Sequence, residues 1–238
     1  MTFLSVNVNK FATLRNSRGA NNPNVCQAAV DAIRFGADGV TVHPRPDERH
    51  IRRTDVFEIA AAINVEYNIE GYPSEDFLQL VEAIQPAQCT FVPDPPGVLT
   101  SNAGWNTLLE KDFLTEVVGR LKSQGIRVAL FSETDLKMVE GAKATGADRI
   151  ELYTEPYAAN YAADREAAVA PFRAAGAFAH SIDLGINAGH DLSLENLAFF
   201  KQEVPHLLEV SIGHALVCDA LYIGYEASVK AYQACLGK

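Results

Sequence analysis

Short apolar runs alternate with longer amphipathic stretches along the whole chain. Runs rich in Val, Ile, Leu and Phe fall at 3–8, 39–43, 66–70, 88–92, 126–131, 149–153, 184–187 and 208–212. Runs this short and this rich in branched residues predict buried parallel strands. Between them apolar residues recur at helical spacing. Cys26, Val30 and Ile33 share one face, and Leu109, Phe113, Val117 and Leu121 another. Val56, Ile59, Ala60 and Ile63 stand behind Asp55 and Glu58, which read as a capping box. Phe77, Leu80, Val81 and Ile84 follow Ser74, an N-cap residue type. Helical patterns also cover 136–144, 164–182, 194–201 and 215–236. Gly36-Ala37-Asp38 and Gly146-Ala147-Asp148 each end a helix pattern and open a strand, so one unit is used repeatedly. Strict alternation predicts a parallel α/β sheet. Eight strand–helix units fit a closed (β/α)8 TIM barrel better than a doubly wound open sheet, and no G-x-G-x-x-G follows the first run. With no linker or low-complexity stretch, residues 1–238 read as one barrel domain.

Composition narrows the class. At 48% hydrophobic and 21% charged, the chain carries enough apolar surface for a core, which excludes disorder as its main state. No apolar run is long enough to cross a bilayer. The opening Met1-Thr2-Phe3-Leu4 lacks a basic stretch and turns polar at Asn7, so no signal peptide is expected. A net charge of −10 and a pI near 5.0 argue against nucleic acid or an anionic membrane as partner. The cations nevertheless crowd the start of the chain: Lys10, Arg15, Arg18, Arg34, Arg45, Arg49, Arg52 and Arg53. Charge alone favours a solvated surface there; the other reading is a small anionic ligand such as a phosphate ester. Cys26, Cys89, Cys218 and Cys235 form no C-x-x-C pair and read as buried, reduced thiols of a cytosolic protein.

Barrel active sites lie at the C-terminal ends of the strands. Those positions hold Asn7, Asn9 and Lys10; His43, Arg45 and His50; Glu70; Asp94 and Thr100; Ser132 and Glu133; Glu151; Asn187 through His190; and Gly213-His214. Four of the six histidines fall on this rim, while His180 and His206 lie off it as structural or surface residues. Singly, each has a bland reading. His43 fits a hydrogen-bonded core histidine, Glu70 a structural ion pair, and Gly213 a simple turn. Trp105 and the helically spaced Tyr222, Tyr225 and Tyr232 fit packing or subunit contact. Together, imidazoles and a buried carboxylate on one rim suit general acid–base work. Arg18 and Arg45 offer bidentate grips on phosphate, and backbone N–H groups after Gly213 could cradle one. Lys10 alone is a weak Schiff-base signal. Two further readings stand beside this. One is a metal-dependent hydrolase with His43, Glu70, His190 and His214 as ligands, against which no H-x-H or H-E-x-x-H spacing is present. The other is a non-catalytic phosphosugar-binding protein, which would not need so many proton-transfer groups.

Several segments resemble a known family. Val6 through Gly19, Gly39 through Arg45 with Arg49-His50-Ile51, Asn68-Ile69-Glu70, Asn187-Ala188-Gly189-His190 and Ser211-Ile212-Gly213-His214 are similar, in order, to the motifs of the pyridoxine 5′-phosphate synthase family. The resemblance implies a (β/α)8 barrel with extra helices, assembled as a homo-octamer, a tetramer of dimers. It implies condensation of 1-deoxy-D-xylulose 5-phosphate with 3-amino-2-oxopropyl phosphate to pyridoxine 5′-phosphate, inorganic phosphate and water. No metal or organic cofactor is implied, and the setting is cytoplasmic. Carried over, His43 and Glu70 are proton acceptors, His190 a proton donor, and Glu151 a transition-state-stabilising carboxylate. Asn7, Arg18, Gly213 and His214 hold the aminoketone phosphate; Arg45, His50 and Thr100 hold the deoxyxylulose phosphate. Asn9, Lys10 and Asp191 fall on further substrate-binding positions. Many family members carry Asp-His where this chain has Asn9-Lys10, and Gly where it has Asp191. The loop after the fourth strand is the candidate for closing the site.

Overall fold

The computed structural model describes residues 1–94 and 103–238, so Thr100 and the rest of 95–102, in the loop after the fourth strand, lie outside the described residues. The described strands are β1 (Phe3–Asn7), β2 (Gly39–Val42), β3 (Glu66–Gly71), β4 (Gln88–Phe91), β5 (Arg127–Ser132), β6 (Arg149–Leu152), β7 (Gly185–Gly189) and β8 (Leu207–Ile212). Each pairs in parallel with the next, and β8 returns to β1 to close the barrel. Helices α1 (Asn9–Asn16) and α2 (Val25–Arg34) follow β1, α3 (Arg53–Ala62) follows β2, and α4 (Glu75–Ile84) follows β3. Next come α5 (Lys111–Lys122) after β4 and α6 (Leu136–Ala144) after β5. Two helices follow β6, α7 (Glu155–Tyr161) and α8 (Arg165–Ser181); one follows β7, α9 (Leu197–Glu203); and α10 (His214–Ile223) and α11 (Tyr225–Cys235) complete the chain. The helices α1, α7 and α11 are additional to the eight that a minimal barrel needs.

The strands are less uniform than their apolar content suggests. One face is apolar and meets the helices: Val6, Val40, Ile69, Leu130, Ile150 and Val210 are all fully buried. The other face points into the barrel and is polar. Ser5 and Thr41 share a hydroxyl hydrogen bond of 2.7 Å, and Thr90 donates to Asn68 Oδ1 at 3.0 Å. Asn187 Nδ2 donates to Gln88 Oε1 at 3.3 Å, and Gln88 Nε2 to Glu209 Oε1 at 3.5 Å. Gln88 and Glu209 belong to β4 and β8, half the barrel apart, so that bond crosses the axis. At the N-terminal end Arg127 pairs with Glu66, and Arg149 with Glu209 at 3.4 Å. The hydrophobic core is therefore the annulus between strands and helices, and the interior is a hydrogen-bonded polar column. Most of these groups satisfy one another, which offsets the cost of burying them.

Several elements differ from the sequence expectation, each for a local reason. Helix α3 starts at Arg53, so Asp55 is its third residue rather than its cap; the Asp55 carboxylate accepts from Arg52 N at 2.7 Å. Leu109 precedes α5 and is 71% exposed. The stretch 215–236 is two helices, because Gly224 at φ 85° takes a left-handed conformation that breaks the first. Helices α1 and α7, of 8 and 7 residues, are too short for periodicity to declare them. Arg15 is not solvated: it is 1% exposed and clasps Asp55 through two bonds, of 2.5 and 2.9 Å. The four cysteines are free thiols, but only Cys89 is fully buried. Tyr225 and Tyr232 pack inward as expected, whereas Tyr222 is 90% exposed. His180 and His206 stack on one another, both exposed and away from the rim. Trp105 is buried and donates to Phe91 O at 2.9 Å.

Candidate active site

The chain's first turn after β1 holds the site's first wall. Asn7 Oδ1 accepts from Asn9 N at 3.0 Å, and Asn9 Oδ1 accepts from His43 N at 2.9 Å. Asn9 thus anchors the end of β2, a task that a carboxylate oxygen would perform equally well. His43 follows β2 directly and Glu70 lies one residue before the end of β3. Their side chains face one another, with His43 Nδ1 3.8 Å from Glu70 Oε2. Burial holds the His43 imidazole well below its usual pKa, and Arg45, His50 and His190 add to that. Burial likewise pushes the Glu70 carboxyl well above its usual range, helped by Glu151 and opposed by Arg45. Both shifts favour the uncharged forms, an imidazole able to accept a proton beside a carboxylic acid able to give one. Glu70 becomes an acceptor only after it has released that proton.

Glu151 sits deeper, one residue before the end of β6. Its carboxyl is pushed up to about 8, first by burial and then by Glu209, while the Thr90 hydroxyl pulls the other way. Among the described residues its buried Oε2 has no hydrogen-bond partner. Gly189 lets it fit: a Cβ there would sit 2.4 Å from Ser211 O and 3.2 Å from Glu151 Oε1. The chain then turns at His190, whose φ of 67° is unusual for a residue with a side chain. Asp191 N donates to Gly189 O at 2.9 Å, closing a three-residue turn around His190. That strained turn lifts the imidazole to the mouth, edge-on to Phe131 with ring centres 6.0 Å apart. Crowding by surrounding atoms lowers the His190 pKa, opposed by Asp191 and Asp94. The Asp191 N–H also reaches Thr154 Oγ1 at 3.2 Å, while its buried Oδ2 has no hydrogen-bond partner among the described residues.

Cations gather on the β2 side. Arg45 is buried and bonds Asp94 through Nη2 at 3.0 Å, an acid that sequence reading placed on the rim without a partner. His50 accepts from Ile51 N on Nδ1 at 2.9 Å, and its carbonyl accepts from Arg15 at 3.1 Å. Burial, with Arg45 and Lys10 nearby, takes His50 down to about 4, so it is neutral at pH 7. Beside this group lies a cleft of about 420 Å³ lined by His43, Arg45, Arg49, Arg53, Tyr72 and Asp94. On the other side of β1, at its seam with β8, Gly213 caps α10, and its backbone approaches Asn7 so closely that a Cβ would meet Asn7 O and Cβ at 3.0 Å. Its φ of −124° is ordinary, so close approach and not chirality requires glycine there. His214 is exposed, with Nε2 3.7 Å from Cys218 Sγ. Arg18 lies in the exposed turn after α1, and among the described residues its guanidinium has no hydrogen-bonding or ion-pairing partner. The structure therefore brings together Asn7, Asn9, His43, Arg45, His50, Glu70, Glu151 and His190, and leaves Arg18 apart. Among the described residues no three His, Cys, Asp or Glu side chains converge as metal ligands would.

The family model described as pyridoxal phosphate biosynthesis protein PdxJ matches residues 4–238. The chain belongs to the PdxJ family. It is 57% identical over 236 residues to the pyridoxine 5′-phosphate synthase of Parabacteroides distasonis, covering 99% of each chain. It is 58% identical over 233 residues to the enzyme of that name from Porphyromonas gingivalis, covering 98% of each. Among solved structures it is similar to phosphoribosylanthranilate isomerase from Thermotoga maritima, at a TM-score of 0.64 and 15% identity, over 100% of this chain and 99% of that one. The Pyrococcus furiosus isomerase gives a TM-score of 0.64 at 11% identity, over 100% and 99%. These distant likenesses concern the barrel alone. Among the described residues no helix is long and apolar enough to cross a membrane.

Proposed function

We propose that this PdxJ-family chain is a pyridoxine 5′-phosphate synthase. In this reading 1-deoxy-D-xylulose 5-phosphate condenses with 3-amino-2-oxopropyl phosphate to form pyridoxine 5′-phosphate, inorganic phosphate and water. The observation that carries it is the end-to-end match to relatives bearing that name. The site's chemistry supports it. An amine must attack a ketone, the carbinolamine must lose water, phosphate must leave, and a carbon–carbon bond must close the ring. Each step moves a proton, and substrates and products balance with phosphate and water alone, so no oxidant is consumed. His43 accepts protons as a neutral imidazole, and Glu70 delivers its proton before acting as acceptor. His190 donates from the mouth, and Glu151 stabilises developing charge at the floor. Arg45 and His50, with Thr100, take one phosphate; Asn7, Arg18 and the Gly213-His214 backbone take the other. Lys10 adds positive charge to the mouth, and Asp191 lines it. The whole chain acts as one catalytic domain, assembled as an octamer in the cytoplasm.

The test is a two-substrate turnover assay without added metal. Pyridoxine 5′-phosphate and inorganic phosphate should appear in equal amounts, only when both substrates are present. Folded protein that binds either phosphate ester and forms no product refutes the reading. Light scattering on the same sample reads the assembly. The alternative of a metal-dependent hydrolase predicts stoichiometric metal and loss of activity to a chelator.

A further inference from the structure

The backbone on both sides of His190 is held from neighbouring elements. His190 N donates to Ser211 O of β8 at 3.2 Å. Further bonds come from the β6 side, through Thr154, which is fully buried two residues past the end of β6. Its hydroxyl donates to Gly189 O, the carbonyl just before His190, and accepts from Asp191 N, just after it, at 3.2 Å. One oxygen thus spans the turn whose φ of 67° at His190 an L residue rarely adopts. A second brace stands behind it. Tyr157 on α7, also fully buried, donates to Asn196 O at 2.7 Å. The Asn196 side chain accepts from Ser193 N at 2.8 Å and donates to Asp191 O at 3.3 Å.

We propose that Thr154 is a positioning residue whose hydroxyl clamps the turn from Gly189 to Asp191 and so fixes where the His190 imidazole meets the substrate. Thr154 occupies the N-cap of α7, where a threonine side chain ordinarily accepts from a backbone N–H of its own first turn. Among the described residues it makes no such bond, and the hydroxyl is committed to the turn after β7 instead. The helix forgoes a cap, and the turn receives a donor and an acceptor in one atom. A turn needed only to redirect the chain would carry glycine at this φ without strain. A histidine held there by bonds from both sides is the arrangement expected where the side chain is what the turn presents. Helix α7, additional to a minimal barrel, supplies both braces, Thr154 at its cap and Tyr157 in its first turn. That Thr154 acts on turnover through His190 rests on the synthase reading; the clamp itself does not.

The experiment compares Thr154→Val, which keeps the shape and removes the hydroxyl, with Thr154→Ser, which keeps the hydroxyl, in the full-length protein. In Thr154→Val kcat should fall by roughly 10–100-fold, the effect of a displaced catalytic group. KM for the deoxyxylulose phosphate, whose proposed grips lie on the β2 side, should hold within about twofold. Thr154→Ser should return kcat to within about threefold of the unmodified protein. In a His190→Gln background Thr154→Val should cost no further turnover, because the two residues act as one unit. Hydrogen exchange followed by mass spectrometry reads the clamp without substrate. Segment 188–192 should exchange at least about tenfold faster in Thr154→Val, with β6 unchanged, and at the original rate in Thr154→Ser. If Thr154→Val does not fold, Thr154→Ala takes its place in every comparison. Equal losses of turnover in Thr154→Val and Thr154→Ser would overturn the proposal and leave Thr154 a packing residue. So would losses that multiply with His190→Gln, or unchanged exchange at 188–192. Exchange that responds as expected in a protein that forms no product would instead refute the synthase reading alone.

Discussion

Replacing Glu151 by Gln should make the fold less dependent on pH while removing most of the activity. In the folded chain this carboxyl is pushed up to about 8 from its usual 4.5, by burial and by Glu209. The folded state then holds the proton more tightly than the unfolded chain does. Stability is consequently full below about 4.5 and falls as pH rises towards 8. At about 1.36 kcal/mol per pH unit, the penalty at alkaline pH is of the order of 5 kcal/mol. The amide carries no such penalty. It does bring two donors into a place where Oε2 already lacks a partner, which costs about 1–3 kcal/mol at every pH. The two effects oppose one another. At pH 5 the variant should be less stable than the parent by about 1–3 kcal/mol; at pH 9 it should match or exceed it. Urea midpoints at pH 5, 7 and 9 and one fixed protein concentration read this crossing directly. Turnover at pH 7 should fall by roughly 10²–10³-fold with loss of the carboxyl that stabilises developing charge. A stability difference that is constant from pH 5 to pH 9 would refute the reasoning, because it would mean that Glu151 ionises freely in the folded chain.

Other parts of the site make their own predictions. Arg15→Met leaves Asp55 buried without its cation and should cost about 3–5 kcal/mol, measured by thermal or urea unfolding; a loss below 1 kcal/mol would mean that Asp55 is readily hydrated. Since Arg15 also holds the His50 carbonyl, a folded variant should lose affinity for the deoxyxylulose phosphate more than it loses kcat. Gly213→Ala forces a Cβ to within 3.0 Å of Asn7 and should destabilise by about 1–3 kcal/mol while displacing the start of α10; calorimetry with the aminoketone phosphate should find weaker binding, and unchanged affinity would separate that helix start from the phosphate. His50 is neutral at pH 7 because it sits near 4, so a phosphate dianion arriving beside it should draw in a proton. Titrations with the deoxyxylulose phosphate in buffers of different ionisation enthalpy should show net proton uptake near pH 6; no linkage there would place the phosphate away from His50.

Much of this site was legible as sequence because barrel topology assigns chemistry to strand ends. His43, Glu70, Glu151, His190 and Gly213 each fall at or within one residue of such an end, so finding the strands found the rim. Strands were found through their apolar residues, and that signal hid the rest. Val40, Ile69 and Val210 declare β2, β3 and β8, yet Thr41, Asn68 and Glu209 alternate with them and face the axis. In the sequence these polar positions look like interruptions of a buried strand. Nothing local says that Gln88 meets Glu209, 121 residues away, or that Arg127 reaches Glu66; only closure of the barrel makes them neighbours. The same holds for Arg15, which charge arithmetic sends to solvent and Asp55 draws inside. Period-2 alternation of polar residues in strands that are covered on both faces is the usable signal here. A barrel that places hydrogen-bonding side chains on its axis must pair most of them, and among the described residues Glu151 Oε2 is a buried atom left without a partner. Among the described residues Ser211 Oγ on β8 is a second such atom, so the column goes unsatisfied at two places just beneath the candidate rim, a pattern that no local stretch of sequence declares.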